Sequence, residues 1–164
     1  MKKTDGAATL PDAAGKKFAI ISARFYTDLA DWLEDGAKRG LLACGVAAQD
    51  IEIVNVPGCF EIPLACRRLI VGGEVDGVVA LGVVVRGDTP HFDYVAGETA
   101  RGIMTVQLTT GVPIGFGILT TENLAQAQER ADPQRMDKGY EAAVAAATVA
   151  VIPPKAEKPR VGFR

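Results

Sequence analysis

The sequence contains a single histidine, His91, within the stretch RGDTPHF that follows the apolar run GVVALGVVV. An unperturbed imidazole titrates near pH ~6.5, so His91 can both give and accept protons near neutral pH. A lone histidine can instead have a structural role at a helix start, bonded to a backbone carbonyl. Its position directly after a buried strand favours the role in proton transfer.

Residues suited to an anion occur in three places. Gly87, Asp88 and Thr89 directly precede a predicted helix, where backbone N–H groups and a hydroxyl suit a phosphate. Asp and Thr are also common helix caps, and spacing alone leaves both interpretations open. Lys138 begins another predicted helix, where the dipole disfavours a cation, so it points to an anionic partner. Arg130 ends a helix, where the dipole alone explains a cation.

Two turns after predicted strands carry further chemical groups. Phe25 follows the first strand and could stack on a planar heterocycle, although packing at a loop edge is the commoner role of such a residue. Cys59 and Glu61 lie in a turn that begins with Pro57-Gly58. Glu61 is equally explained as an acid in the first turn of a helix, where the dipole favours it.

Short apolar strands alternate with longer amphipathic segments, and these elements must position the chemical groups. The first helical segment has apolar residues on one face, among them Leu29, Leu33 and Leu41. The third strand is apolar on both faces, which is typical of a parallel strand covered by helices on two sides. The predicted strands are 17–22, 50–56, 77–85 and 112–119, and the predicted helices are 27–45, 61–71, 92–108, one ending at 131, and 137–151.

This alternation predicts a three-layer α/β/α domain, with a four-stranded parallel sheet, right-handed crossovers and helices on both faces. Ligands of such sheets bind beyond the carboxyl ends of the strands, so ARFY, PGCFE, RGDTPH and TTEN should converge. We expect Thr27 or Asp28 to cap the first helix, Gly45 to end it, and Thr120 or Thr121 to cap the fourth.

Composition limits the other functions. A chain of 164 residues suits one domain, and its net charge of −2 and aromatic content of 6% argue against a nucleic-acid partner. Three cysteines and one histidine predict neither a disulfide framework nor a zinc site. The start lacks the apolar core of a signal peptide, and no apolar run approaches the ~20 residues that span a membrane. We therefore expect a cytoplasmic protein with a mobile arm over 1–15, a domain over 16–152 and a loose tail over 153–164.

The common catalytic motifs do not occur in the sequence. It has no G-x-x-x-x-G-K phosphate loop, no G-x-G-x-x-G after a strand and no G-x-S-x-G elbow. These absences weigh against the standard nucleotide-binding and hydrolase functions. The residues by themselves predict a parallel α/β domain that binds an anionic or phosphorylated small molecule beside one acid–base histidine.

Several longer stretches resemble the lumazine synthase family, which catalyses the penultimate step of riboflavin biosynthesis. They are ARF, VPGCFEIP, LGVVVRGDTPHFDYV, VPIGFGILTTENLAQAQERA and DKG, and they occur in family order between residues 17 and 151. The resemblance implies a flavodoxin-like sheet and no metal or organic cofactor. It also implies condensation of 5-amino-6-(D-ribitylamino)uracil with 3,4-dihydroxy-2-butanone 4-phosphate to give 6,7-dimethyl-8-ribityllumazine, phosphate and water.

The resemblance implies roles for the residues at matching positions. His91 matches the proposed proton-transfer residue. Asp88, Thr89 and Arg130 match the phosphate site, to which Arg130 would reach across a subunit boundary. The positions that match the pyrimidine and ribityl site are Phe25, Gly58, Cys59, Phe60, Glu61, Val84, Val85, Phe116 and Lys138. Phe116 would come from the neighbouring subunit.

Three positions depart from the family pattern. Asp88 stands where many members have Ala or Gly, and a carboxylate repels phosphate, so we expect Asp88 to serve through its backbone only. Tyr26 stands where Asn is common. Gln134 lies in a region that usually carries an extra lysine, so phosphate affinity is expected to differ.

The resemblance also implies an assembly. Family members form pentamers, some of which close into shells of sixty subunits, and active sites lie between subunits. The short connection between the last two helices allows such a shell here, and an association with riboflavin synthase is also open.

Three other functions stay open on the sequence alone. One is a riboflavin synthase of the related archaeal type. Another is a lumazine- or flavin-binding scaffold with little catalysis. A signalling domain on the same kind of sheet is less favoured, because Arg24 and Phe25 stand where a phospho-acceptor domain needs acids.

Overall fold

The computed structural model describes residues 9–73 and 75–153 of the chain. Its strands form one parallel sheet in the order β2-β1-β3-β4, and they are β1 Phe18–Ala23, β2 Ile51–Val56, β3 Gly77–Val85 and β4 Ile114–Thr121. The α-helices of this described part are α1 Thr27–Ala43, α2 Ile62–Val71, α3 His91–Thr110, α4 Leu124–Ala131 and α5 Lys138–Ala150. None of them is long and apolar enough to cross a membrane. The predicted order of strands and helices is confirmed.

Helices cover both faces of the sheet, as predicted. α1, α4 and α5 pack on one face against Val79 and Leu81 of β3, and α2 and α3 pack on the other against Val78 and Ala80. Successive side chains of a strand point to opposite faces, so β3 contributes to two separate cores. This explains why β3 is apolar at consecutive positions and buried over almost its whole length. The three-layer architecture is therefore confirmed.

The end of α1 agrees with the prediction and its start does not. α1 begins at Thr27, and the N-cap position is taken by Tyr26, whose side chain makes no capping hydrogen bond. The prediction that Thr27 or Asp28 caps this helix is wrong, because both already lie within its first turn. Gly45 follows the Cys44 cap with a φ of 84°, the left-handed geometry expected of a glycine that ends a helix.

The prediction for the start of α4 is also wrong. Asn123 caps this helix, and its side-chain oxygen accepts a hydrogen bond from the Gln126 N–H at 3.0 Å. Thr120 and Thr121 are unable to cap it because they still belong to β4. The ladder between β3 and β4 continues to the pair Val85–Thr121, two residues beyond the predicted end of the strand.

The segment before β1 is attached to the core at Ala13. This residue is fully buried, and its N–H donates to the Cys44 carbonyl oxygen at 2.7 Å. The described part of the predicted arm therefore packs against the end of α1. The predictions for residues 1–8 and 154–164 lie outside the described residues.

Glycines allow α1 and α5 to approach each other closely. A Cβ at Gly139 would overlap the Leu33 carbonyl oxygen, and one at Gly40 would stand 2.9 Å from the Tyr140 carbonyl oxygen. Real Cβ atoms essentially never approach so near, so the two backbones would have to separate. This contact matters for function because α5 begins with Lys138.

We expect Gly139→Ala to lower the free energy of unfolding by about 1–3 kcal/mol, the usual cost of overpacking a close contact. Gly72→Ala is the matched control, because a Cβ there would meet its nearest atoms at 3.4 Å and φ is an ordinary −63°. Denaturant unfolding monitored by circular dichroism compares the two. Equal stabilities would show that the helices are not held at this distance.

Candidate active site

Three of the four segments expected to converge form one cavity at the carboxyl edge of the sheet. This first cavity has a volume of about 570 Å³ and is lined by residues that end or follow β1, β2 and β3. The predicted site residues that line it are Phe25, Gly58, Cys59, Phe60, Glu61, Val84, Val85, Thr89 and His91. The segment TTEN does not line it, so that part of the expected convergence is incomplete.

Aromatic side chains form an exposed wall of the first cavity. Phe25 is 76% exposed and Phe60 is 59% exposed, although both are large apolar groups. The Phe25 ring also meets the Tyr26 ring edge to face, with centroids 5.1 Å apart. Exposed apolar area of this size usually marks a place where a ligand or partner binds. The flat face of such a ring suits a planar heterocycle.

Two contacts fix the turn after β2. The Gly58 N–H donates to Glu61 Oε2 at 3.0 Å. The buried Cys59 thiol lies 3.9 Å from the Val83 carbonyl oxygen, in a space that exists because a Cβ at Gly82 would overlap the sulfur. Burial raises the pKa of the Cys59 thiol to about 12, so the thiol stays protonated. The Cys59 side chain is therefore packed beneath the turn, where burial disfavours the thiolate that a nucleophile requires.

The first turn of α3 presents polar groups to the first cavity. His91 is the first residue of α3, and its backbone N–H donates to Thr89 Oγ1 at 3.4 Å. Within the described ranges, the His91 imidazole makes no hydrogen bond. Gly87 and Thr89 line the cavity, whereas the exposed Asp88 between them does not. A ligand at this edge would therefore meet N–H groups, a hydroxyl and an imidazole, but not the Asp88 carboxylate.

No lysine or arginine is among the described residues that line the first cavity. The closest in sequence is Arg86, which directly follows β3. Its guanidinium bonds Glu122 at 2.8 Å and Asp93 at 3.2 Å, and it lies over the Phe92 ring at 4.2 Å from the centroid. Because two carboxylates already balance Arg86, a dianion in this cavity needs a cation from elsewhere.

Sequence reasoning missed Arg86. Its ion pairs join the end of β3, the first turn of α3 and the TTEN segment after β4, so TTEN reaches this region through Glu122. The sequence contains one indication of the Arg86–Asp93 ion pair: the arginine directly follows a strand, and the acid lies seven residues later in a predicted helix. The partner Glu122 lies 36 residues away and could be found only from the sheet order.

The remaining cations of the predicted site line a second cavity of about 450 Å³, together with Phe116. Arg130 Nη1 donates to the Gln126 carbonyl oxygen at 3.1 Å, and Lys138 Nζ pairs with Glu141 Oε2 at 2.5 Å. Phe116 is 48% exposed on β4. In one chain, the cations and His91 therefore line different cavities.

A third cavity of about 510 Å³ opens at the opposite, amino edge of the sheet, beside Lys17, Asp50 and Asp76. It contains none of the predicted site residues. Among the residues that the structure describes, no group of three or more His, Cys, Asp or Glu side chains is placed to hold a metal ion.

Similarity to known proteins extends over almost the whole described chain. Residues 15–153 match the family model described as 6,7-dimethyl-8-ribityllumazine synthase. The chain belongs to this family. A relative of that name from Nitratidesulfovibrio vulgaris (strain DSM 19637 / Miyazaki F) is 48% identical over 134 residues, which are 82% of this chain and 86% of the relative. Another of that name, from Desulfotalea psychrophila (strain LSv54 / DSM 12343), is 48% identical over 138 residues, 84% of this chain and 89% of the relative.

Membership of the 6,7-dimethyl-8-ribityllumazine synthase family confirms the resemblance that the motifs indicated. Every predicted site residue except Asp88 lines either the first or the second cavity. The individual roles of these residues remain predictions.

We expect the thiols to resist modification in the native protein, because Cys44, Cys59 and Cys66 are all buried and unpaired. At about pH 8, a chromogenic disulfide reagent should label less than one thiol per native chain and all three after denaturation. Burial also raises the pKa of Cys66 from 9.0 to about 12. The thiols of the unfolded chain ionise first as pH rises, so stability should fall between pH 9.0 and about 12. Fast labelling that Cys59→Ser removes would contradict the anchoring role of Cys59.

Proposed function

We propose that the chain condenses 5-amino-6-(D-ribitylamino)uracil with 3,4-dihydroxy-2-butanone 4-phosphate to form 6,7-dimethyl-8-ribityllumazine, phosphate and water. One observation carries the proposal: a member of this family presents an aromatic wall, a helix N-terminus and its single histidine in one cavity. Each of these groups suits one part of the two substrates.

The pyrimidine lies against the aromatic wall of the first cavity. Phe25 supplies the flat apolar face, and the turn of Gly58 to Glu61 supplies polar groups beside it. Because Cys59 and the Gly58–Glu61 hydrogen bond fix this turn, its backbone groups keep their direction when the cavity is empty. Such a preformed site reduces the cost of ordering the ribityl chain and ring.

The phosphate lies at the start of α3. N–H groups of the first turn and the Thr89 hydroxyl bond its oxygens, and the helix dipole favours its charge. Arg130 and Lys138 supply the positive charge that the first cavity lacks. The planar fork of Arg130 can hold two phosphate oxygens at once, whereas Lys138 acts as a point charge.

His91 moves protons between the bound substrates. The pyrimidine amine attacks the ketone carbonyl, and loss of water from this adduct gives an imine between the substrates. A C–H proton leaves as the phosphate departs, which gives an enol, and the enol takes up a proton at its terminal carbon to become a ketone. The ribitylamino nitrogen attacks this ketone, and ring closure releases a second water. Each step gives or takes one proton, which suits an imidazole that is free to change partner. Much of the rate enhancement comes from holding the two substrates together.

A second copy of the chain completes the site. The first cavity has an exposed aromatic wall and no cation, and the second cavity has two cations and a half-exposed Phe116. Placing the second cavity of one copy against the first cavity of another brings charge to the phosphate and covers apolar area. A closed ring of copies repeats this contact at every site, which is the behaviour of a heterologous cyclic interface.

The size of the assembly follows the family. We infer a pentamer, with closure of pentamers into a shell of sixty subunits and association with riboflavin synthase as further steps. Three unpaired, buried thiols suit a reducing compartment such as the cytoplasm. The inferred domain covers residues 16–152.

Removing the phosphate cation should affect one substrate only. We expect Arg130→Met to raise the KM for the ketone phosphate about 10- to 100-fold, the equivalent of a charge-assisted hydrogen bond, while the KM for the pyrimidine changes about twofold at most.

His91→Ala should lower kcat by ~10²-fold with both KM values retained. Steady-state lumazine formation, followed by absorbance, measures all three quantities.

Arg135→Met is the control for this experiment, because Arg135 is an exposed cation that pairs with Glu129 and lines neither cavity. Equal effects of Arg130→Met on both substrates would refute its phosphate role.

Incubation with lumazine alone tests the riboflavin synthase alternative, since riboflavin would then form. Tight lumazine binding with no turnover of the two substrates would instead identify a scaffold.

Sharing of the site between copies is tested by complementation. At a ketone phosphate concentration far below the KM of Arg130→Met, the His91→Ala and Arg130→Met chains should each have low activity, and co-expression should restore part of the parent activity. In randomly mixed oligomers, about a quarter of the sites combine an intact His91 with an intact Arg130 from the neighbouring copy. Mixed oligomers purified through two different affinity tags provide the sample. No gain over the single variants would place the whole site within one chain.

A further inference from the structure

The residue before Lys138 has an unusual backbone conformation. Asp137 has φ 47° and ψ 52°, and among the described residues it alone is a non-glycine residue with positive φ. Left-handed geometry is unfavourable for a residue with a Cβ and persists when the surroundings determine it. Asp137 therefore has a conformation that other contacts must hold.

Arg39 on α1 holds Asp137 in this conformation. Its two terminal nitrogens donate to the two carboxylate oxygens of Asp137 at 2.9 and 3.1 Å. Arg39 Nε donates to Asp35 at 2.8 Å, and the guanidinium lies 5.9 Å from the centroid of the Tyr140 ring. The bonds to Asp137 and Asp35 raise the pKa of Arg39 above its usual value. A two-pronged contact fixes direction as well as distance, which a single hydrogen bond does not.

The surface of α1 is shaped to receive this turn. A Cβ at Gly36 would overlap Asp137 Oδ1 and would stand 2.9 Å from the Tyr140 nitrogen. The turn itself is closed by a hydrogen bond from the Asp137 N–H to the Asp132 carbonyl oxygen at 3.1 Å. Asp137 is thus enclosed by α1 on one side and by its own turn on the other.

The direction in which α5 leaves Asp137 determines where Lys138 lies. Lys138 is the first residue of α5, and its side chain lines the second cavity beside Arg130. Arg39 lines neither cavity. We propose that Arg39 is a positioning residue, which acts through Asp137 to aim Lys138 at the bound phosphate. This inference rests on the proposed function, because it assigns Lys138 to the phosphate.

Arg39 also neutralises the carboxylate of the residue that precedes Lys138. Without Arg39, Lys138 is the cation adjacent to the Asp137 carboxylate. An ion pair between these two neighbours would draw the Lys138 ammonium away from the second cavity. The loss of positioning and the new pair between Asp137 and Lys138 would both weaken phosphate binding. Neither would change the aromatic wall that meets the pyrimidine. The signature of this role is therefore a change in one KM and not in the other.

Arg39→Met tests the proposal in the full-length assembled protein. We expect the KM for the ketone phosphate to rise about 5- to 20-fold, within the range of a small misplacement of a binding group, with the pyrimidine KM unchanged within about twofold. Arg39→Lys keeps the charge but loses the fork, so it should give an intermediate KM. Lys38→Met is the control, because Lys38 pairs only with Glu34 on the same helix. A lower Tm with an unchanged KM would overturn the proposal and leave Arg39 a purely structural role.

A rescue variant separates positioning from general loosening. Glycine adopts the left-handed conformation freely and carries no charge, so Asp137→Gly added to Arg39→Met should return the KM towards that of the parent protein. A further rise in the KM of this double variant would overturn the proposed route through Asp137.

A double-mutant cycle with Lys138→Met separates this inference from the proposed function. If Arg39 acts through Lys138, the double variant should have the KM of Lys138→Met alone. Multiplied effects would overturn the positioning role. A raised KM in Lys138→Met but not in Arg39→Met would leave the proposed function standing and refute the inference. An unchanged KM in Lys138→Met would refute both the phosphate role of Lys138 and the inference.

Discussion

The burial of β3 on both faces is the constraint on which the site depends. This strand pairs with β1 and β4 and contributes alternate side chains to two cores, so neither its register nor its end can shift independently. Its carboxyl end carries Val84 and Val85 into the first cavity, and the chain then reaches His91 within six residues. A site at the end of such a strand inherits the rigidity of the whole core. The exposed loops around it can then carry chemistry without having to contribute stability.

Charge is divided between the two cavities, and this division is the basis of the proposal that a second copy completes the site. The first cavity offers donors that favour an anion, and the second offers Arg130 and Lys138. Cations brought from another copy can be ordered by their own subunit before the substrate arrives: Arg130 bonds the carbonyl of Gln126, and Lys138 pairs with Glu141. In the proposed site, binding of phosphate would then exchange these contacts for charge-assisted hydrogen bonds to the phosphate. The proposed contact between copies would also cover Phe25 and Phe116, so assembly and substrate binding would draw on the same exposed apolar area.

Sequence reasoning succeeded where short-range pattern decides the outcome. The parallel sheet and its helices follow from the apolar runs, and the first cavity follows from the rule that sites lie at carboxyl ends. It failed where a contact between residues far apart in the sequence determines the local structure. The cap of α4 was misplaced because strand pairing extends β4 to Thr121, and the cap of α1 because the helix already begins at Thr27. The partner of Arg39 lies 98 residues away, and no local signal marks Asp137 as left-handed. The direction of the Cys59 thiol depends on the missing side chain of Gly82, which is a property of the packed sheet.

The acids around the proposed phosphate end of the site suggest a role for Arg86, although it lines neither the first nor the second cavity. Asp93 and Glu122 lie at the first turn of α3 and after β4, and unpaired they would repel a dianion. Arg86 binds both, so one of their two negative charges is balanced and both carboxylates are held in a joint between three elements. Asp88, the remaining acid, is exposed and lies outside the lining of the first cavity. With these carboxylates paired or outside the cavity lining, an anion at this edge would meet the N–H groups, the Thr89 hydroxyl and the His91 imidazole. The departure from the family pattern at Asp88 is thereby compatible with phosphate binding through the backbone.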